Sequence, residues 1–288
     1  MRYKYILTVF LASLPVVICA RALQLIQLTD HTTGFMSRNK PAIVVTGFIA
    51  VIILTVSCCC ATVRRAPLRT PKVRKPLGIG AFLMVISIAF DLAAVLSLGY
   101  LGVWQKLLLV LLAVCTMIFF MLYAWKAVKR YRLEKLLYAV PTIYFAARLV
   151  FTFISIATQA LIAINAYMIL AQCATLLFMF EFAKIANGYG KDKSYKRILI
   201  TGAFSVMFNA VFSVPEMFLL LTDVKATEHQ PPTMFISSML TGVFVVIYLM
   251  AHFSNKNLKD HRYRHKKEDQ EAKFLKIDSP THEFYYGD

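Results

Sequence analysis

Eight apolar runs of about twenty residues, at 5–27, 41–62, 77–99, 105–125, 136–157, 160–183, 198–221 and 234–253, leave this chain one kind of fold. About twenty residues let an α-helix cross a bilayer core of about 30 Å. In lipid the backbone must also satisfy its own N–H and C=O groups, which a helix does within itself. The expectation is an all-α, polytopic membrane helix bundle of about eight transmembrane helices. Residues 1–253 form this membrane domain, and 254–288 form a basic cytoplasmic tail, partly disordered.

The segments between the runs alternate between basic and nearly uncharged, which sets the orientation. Segments 1–4, 63–76, 126–135, 184–197 and the tail from 254 hold two, six, five, five and eight Lys/Arg, 26 of the chain's 32. The opposite segments 28–40, 100–106 and 222–233 hold two, one and one, and Arg21 and Arg148 lie inside apolar runs. Short-loop Lys/Arg bias places the rich side in the cytoplasm. Both termini are therefore expected there, in a multi-pass plasma-membrane protein. The net charge of +17 is then spread over loops beside an anionic leaflet, and no nucleic acid is expected as a partner.

The first run resembles a signal peptide in its Met1–Tyr5 start and in Ala20-Arg21-Ala22. Its apolar stretch continues through Leu23, Leu25, Ile26 and Leu28, which reads as a retained helix. Six cysteines, Cys19, Cys58, Cys59, Cys60, Cys115 and Cys173, all fall in apolar runs, so no disulfide framework is expected. The Cys58–Cys60 run at the cytoplasmic end of the second helix reads as small packing residues, with palmitoylation as the alternative. The sequence carries no H-E-x-x-H, G-x-S-x-G, G-x-x-x-x-G-K-[ST] or C-x-x-C motif. Gly188-Tyr189-Gly190-Lys191 lacks the strand and spacing of a phosphate loop. His261 and His265 are crowded by Arg262, Arg264, Lys266 and Lys267, a poor setting for a metal. No cofactor, no metal and no enzyme activity is expected.

An ionisable side chain at membrane depth costs about 2.5–3.5 kcal/mol on insertion scales and so needs a partner or a water-filled cavity. Arg21, Asp91, Arg148 and Glu216 qualify. Depths counted from the cytoplasmic ends match Arg148 with Asp91 near mid-membrane and Arg21 with Glu216 further out. Tyr144, Arg148, Thr152 and Ser155 share one stripe of the fifth helix; Ser205, Asn209, Ser213 and Glu216 share one of the seventh. Asn165 and Gln172 share a face of the sixth. Stripes of this kind are expected to face one another, because lipid offers them nothing. Glu181 and Lys184, at the cytoplasmic end of the sixth helix, read as snorkelling side chains. Pro15, Pro141 and Pro215 stand in or at the edge of runs, where each can kink a helix.

Ser87-Ile-Ala-Phe90-Asp91 in the third helix and Ser205-Val-Met-Phe208-Asn209 in the seventh, with Arg21 and Arg148 as counterparts, suggest a parallel 4+4 repeat. The segment Arg21-Ala-Leu-Gln24-Leu-Ile-Gln-Leu-Thr29-Asp30-His-Thr-Thr33-Gly34-Phe35 resembles one in multi-spanning membrane proteins of low-GC Gram-positive bacteria. The resemblance spans about fifteen residues, implies a bacterial plasma membrane and carries no activity. Two functions fit. One is a small-solute transporter or permease-like protein that binds a small polar or anionic solute among Arg21, Asp91, Arg148, Asn165, Asn209 and Glu216. The other is a non-transporting accessory or sensory membrane subunit that docks a cytoplasmic protein through its tail.

Overall fold

The computed structural model describes residues 3–27, 40–61, 75–97, 102–129, 133–157, 162–187, 193–222 and 231–252. The turn before Lys40, the segment 63–74 with Pro67 and Pro71, Gly188–Lys191, the tail with His261 and His265, and the side chains of Ser155 and Asn165 lie outside them. The described residues form α1 (Tyr3–Gln27), α2 (Lys40–Ala61), α3 (Lys75–Ser97), α4 (Val103–Lys129), α5 (Val140–Ala157), α6 (Ile162–Ala186), α7 (Lys193–Leu221) and α8 (Pro232–His252). All eight are long and apolar enough to cross a membrane. The protein is an all-helical, multi-pass membrane bundle.

Several helices outrun their apolar windows. α4 continues to Lys129, and α7 begins at Lys193, five residues before its apolar run. Lysine and arginine stems lie along apolar surface while their heads reach water, so a helix loses nothing by extending into the headgroup region. α5 behaves differently. Lys135–Ala139 fold as a short 3-10 turn, and α5 begins at Val140 with Pro141 in its first turn. A proline there lacks only an N–H that has no intrahelical acceptor anyway, so Pro141 starts the helix rather than kinking it. Pro15 and Pro215 lie inside α1 and α7.

Neighbouring helices pack in the cyclic order α3–α4–α5–α6–α7–α8, with α8 closing back on α3. The hairpin of α1 and α2 stands outside this six-membered ring, each helix packing on the other and on α7. α7 is therefore the hub, in contact with α1, α2, α6 and α8. Lipid tails are as apolar as leucine, so close packing and polar ties, rather than burial from water, hold such helices together. Glycines allow that approach at two seams. A Cβ on Gly80 of α3 would meet Ile247 and Phe244 of α8 at 3.2 and 3.3 Å, and one on Gly202 of α7 would meet Leu249 at 3.0 Å. α8 is thus gripped from both sides near its C-terminal end. The 4+4 correspondence is not mirrored in this packing. Among the described residues α6 packs closely on α7, whereas the equivalent pair, α2 and α3, shares no such seam.

The ring is filled on one side by aromatic side chains. α4, α6 and α8 alternate around it, and their rings meet across its interior: Phe120 with Phe244 at 5.5 Å, Tyr123 with Phe182 at 5.6 Å, Phe182 with Tyr248 at 5.3 Å and Phe178 with Tyr248 at 5.4 Å. Tyr138, from the 3-10 turn, adds an edge-on contact to Phe119 at 5.4 Å. These residues are almost fully buried. All belong to the half of the bundle from which the basic connections leave, so they form a floor on that side.

Candidate functional site

Asp91 and Arg148 meet in the ring. The carboxylate, 1% exposed, forms an ion pair through Oδ1 with Nη2 of Arg148, which is itself buried. Tyr144, one turn before Arg148 on α5, donates its hydroxyl to Asp91 Oδ2 at 2.5 Å. α3 and α5 are not neighbours in the ring, so long side chains bridge them where the backbones stay apart. This is the pair that depth matching anticipates, and it rests on the i, i+4 spacing of Tyr144 and Arg148. The guanidinium Nε meets no hydrogen-bond partner among the described residues, and Asp91 Oδ1 makes the ionic contact alone.

Gln172 of α6 lies at the same level. Thr142 of α5 donates to the Met179 carbonyl of α6 at 3.3 Å. The two helices run in opposite directions, so six residues further on each brings Arg148 opposite Cys173, next to Gln172. Gln172 is 4% exposed, and neither its Oε1 nor its Nε2 finds a hydrogen-bond partner among the described residues. A buried polar group without a partner costs about 1–3 kcal/mol. The aromatic floor begins at Phe178, six residues or about 9 Å along the same helix.

Asn209 of α7 is used differently. Its Nδ2 donates to Thr175 Oγ1 of α6 at 2.9 Å and to the Ser205 carbonyl at 2.7 Å, while its Oδ1 accepts from Ser238 of α8 at 2.5 Å. One side chain thereby ties three helices. A second tie joins α3 to α8, where Ser87 Oγ donates to the Ser237 carbonyl at 2.7 Å and lies 2.9 Å from Thr241 Oγ1. Ser213 turns back on its own helix, donating to the Asn209 carbonyl at 2.6 Å.

Arg21 and Glu216 form a separate centre where the hairpin meets the ring. The Arg21 guanidinium lies 4.2 Å from the centroid of the Tyr167 ring of α6, and Nη1 donates to Gln24 Oε1 at 2.7 Å. Gln24 Nε2 in turn donates to Thr46 of α2 at 2.7 Å. The buried Glu216 carboxylate of α7 acts on Arg21 electrostatically. Arg21 thus clasps α1 to α2, α6 and α7. It is not part of the Asp91–Arg148 group. The expected site residues therefore divide: Asp91 and Arg148 in the ring, Asn209 in an interhelical tie, Arg21 and Glu216 at the hairpin.

Glu181 departs from its expected snorkelling position. It is 6% exposed and turned inward, with Lys184 Nζ at 3.5 Å and Arg197 Nη1 of α7 at 3.9 Å. Two cations at the helix ends make an inward carboxylate tolerable where an isolated one would turn to water. Thr175, Ser237, Ser238 and Thr241 escape sequence reading because single hydroxyls in apolar helices are common and usually bond their own backbone. The aromatic floor is equally hidden, since its members repeat with no period that distinguishes them from lipid-facing phenylalanines such as Phe153 and Phe218. Compared with protein-family models, with curated proteins and with solved structures, the chain finds no match.

Proposed function

We propose that the protein is a transporter or permease-like carrier of a small polar solute, which it holds in the six-helix ring beside Asp91, Arg148 and Gln172. The observation that carries this reading is the Gln172 amide, buried with both polar atoms unpaired among the described residues, at the level of a guanidinium whose Nε is also unpaired among them. A packed seam would close such groups on each other, as Asn209, Thr175 and Ser238 do one turn away. Unpaired donors and an acceptor at one depth suit a polar guest. The aromatic floor beneath them is the barrier such a guest must pass to reach the basic side.

Thermal unfolding of the purified protein against a panel of amino acids, carboxylates, phosphate, sugars and polyols tests this. Some members of the panel are expected to stabilise the wild type. Gln172→Leu is expected to raise the melting temperature of the protein alone, because the unpaired amide is gone, and to abolish the solute-dependent shift. A panel with no effect on the wild type would overturn the carrier reading and favour a non-transporting membrane subunit.

We further propose that the basic connections and both termini lie in the cytoplasm, on the support of 26 Lys/Arg against four. A cysteine introduced at Ser37 is then expected to react with a membrane-impermeant maleimide in intact cells, and one at Ser194 is not. Labelling of both, of neither, or of Ser194 alone would overturn the orientation.

A further inference from the structure

The open polar atoms of the ring also define the charge type of the guest. Resting on the carrier reading above, we infer that the solute is a compact zwitterion of the α-amino-acid type, rather than an anion or a cation. Arg148 and Asp91 are oppositely charged and in contact, so the site as a whole is neutral. A guest of net charge would sit in a buried site with nothing left to balance it, and a buried uncompensated charge is among the costliest arrangements in a protein. The open valences have both polarities. Arg148 Nε and Gln172 Nε2 donate; Gln172 Oε1 accepts; Asp91 Oδ1 makes its ionic contact and no hydrogen bond among the described residues.

A carboxylate offers acceptors to the Arg148 and Gln172 N–H groups, and an ammonium offers donors to Asp91 Oδ1 and Gln172 Oε1. Because the protein's two charges touch, the guest's charges must be close together as well. One carbon between ammonium and carboxylate meets that need, and a long chain between them does not. A neutral polyol matches the hydrogen bonds and leaves the two charges unused. Tyr144 holds Asp91 Oδ2 and so leaves Oδ1 as the oxygen that faces the guanidinium and any ammonium.

Three near-isosteric probes separate the possibilities: L-alanine, propionate, which lacks the ammonium, and ethylammonium, which lacks the carboxylate. Binding of each to the full-length protein in detergent or nanodiscs would be measured by calorimetry at one pH near 7. Alanine is expected to bind, and the other two to bind weaker by about tenfold or more, the size of one lost hydrogen bond to a charged group. The double variant Asp91→Asn/Arg148→Gln, in which neither charge is left alone, is expected to lose the alanine preference while remaining folded. Propionate or ethylammonium binding as tightly as alanine would overturn the inference and leave the ring site standing. Silence of all three probes overturns it too, and the carrier reading falls with it only when the wider solute panel is silent as well.

Discussion

Asp91→Asn is expected to lower the stability of the protein in detergent by about 3–5 kcal/mol, the usual cost of removing one partner of a buried ion pair. Asparagine still accepts the Tyr144 hydroxyl, so the loss falls on the guanidinium. Arginine stays protonated in essentially any protein site and cannot discharge itself when its partner goes. Arg148 would then stand in the ring with Nε and Nη2 both unmet. Pairing Asp91→Asn with Arg148→Gln is expected to recover a large part of the loss, because no charge remains to be matched. Glu216→Gln should give no such rescue, since the cation on which Glu216 acts electrostatically is Arg21 at the hairpin. Thermal melts of the singles and the double decide it. A double no more stable than the sum of its singles would mean that the two side chains do not act as a pair.

The second large effect is expected at Phe182. Its ring lies 5.3 Å from Tyr248, 5.6 Å from Tyr123, 5.9 Å from Tyr138 and 6.4 Å from Phe119, so it joins α4, α6, α8 and the 3-10 turn at one point. Phe182→Ala removes these contacts together and leaves a cavity, a change that costs about 3–5 kcal/mol in a packed core. The control is Phe218→Ala on the lipid-facing side of α7, 58% exposed, expected to shift stability by no more than about 0.5 kcal/mol. Equal losses for the two would remove Phe182 from the centre of the floor. A smaller probe of the same contact is Tyr138, whose hydroxyl accepts from Lys126 Nζ at 2.6 Å and so fastens the 3-10 turn to α4.

The number of helices and the place of their apolar spans are legible in the sequence because a bilayer imposes them: length, apolarity and lysine placement carry the information. The Asp91–Arg148 pair is legible for a related reason, since two opposite charges at one depth have few other partners. What could not be read is which helices touch. Nothing in the local pattern of α1 or α2 says that both pack on α7 while α3 to α8 close on themselves. That arrangement depends on small contacts, such as Gly202 against Leu249 and Ser87 against Ser237, between residues far apart in the chain. Gln172 illustrates the same boundary. Its helical face can be placed from spacing, but its unpaired state is a property of its neighbours, and only the packed bundle reveals it. Glu181 is the reverse case, legible as a helix-end residue yet turned inward by Arg197 of the next helix.

The position of the hairpin outside the ring has a consequence for how the protein is made. α1 and α2 are synthesised before α7, the ring surface they dock against, and the groups beyond the hairpin that act on Arg21 lie on α6 and α7. About 195 residues separate Arg21 from Glu216, which at roughly 5–20 residues per second is about 10–40 s of translation. Until Tyr167 of α6 has been made, an arginine inside an apolar helix has only its hairpin neighbours, Gln24 and through it Thr46, for company. The hairpin is therefore a waiting subassembly, whose Gln24–Thr46 bond keeps it together until the late helices arrive. Ribosome-bound intermediates truncated before α7 should hold α1 and α2 beside the insertion machinery, and the arrival of α7 supplies the surface on which the hairpin docks.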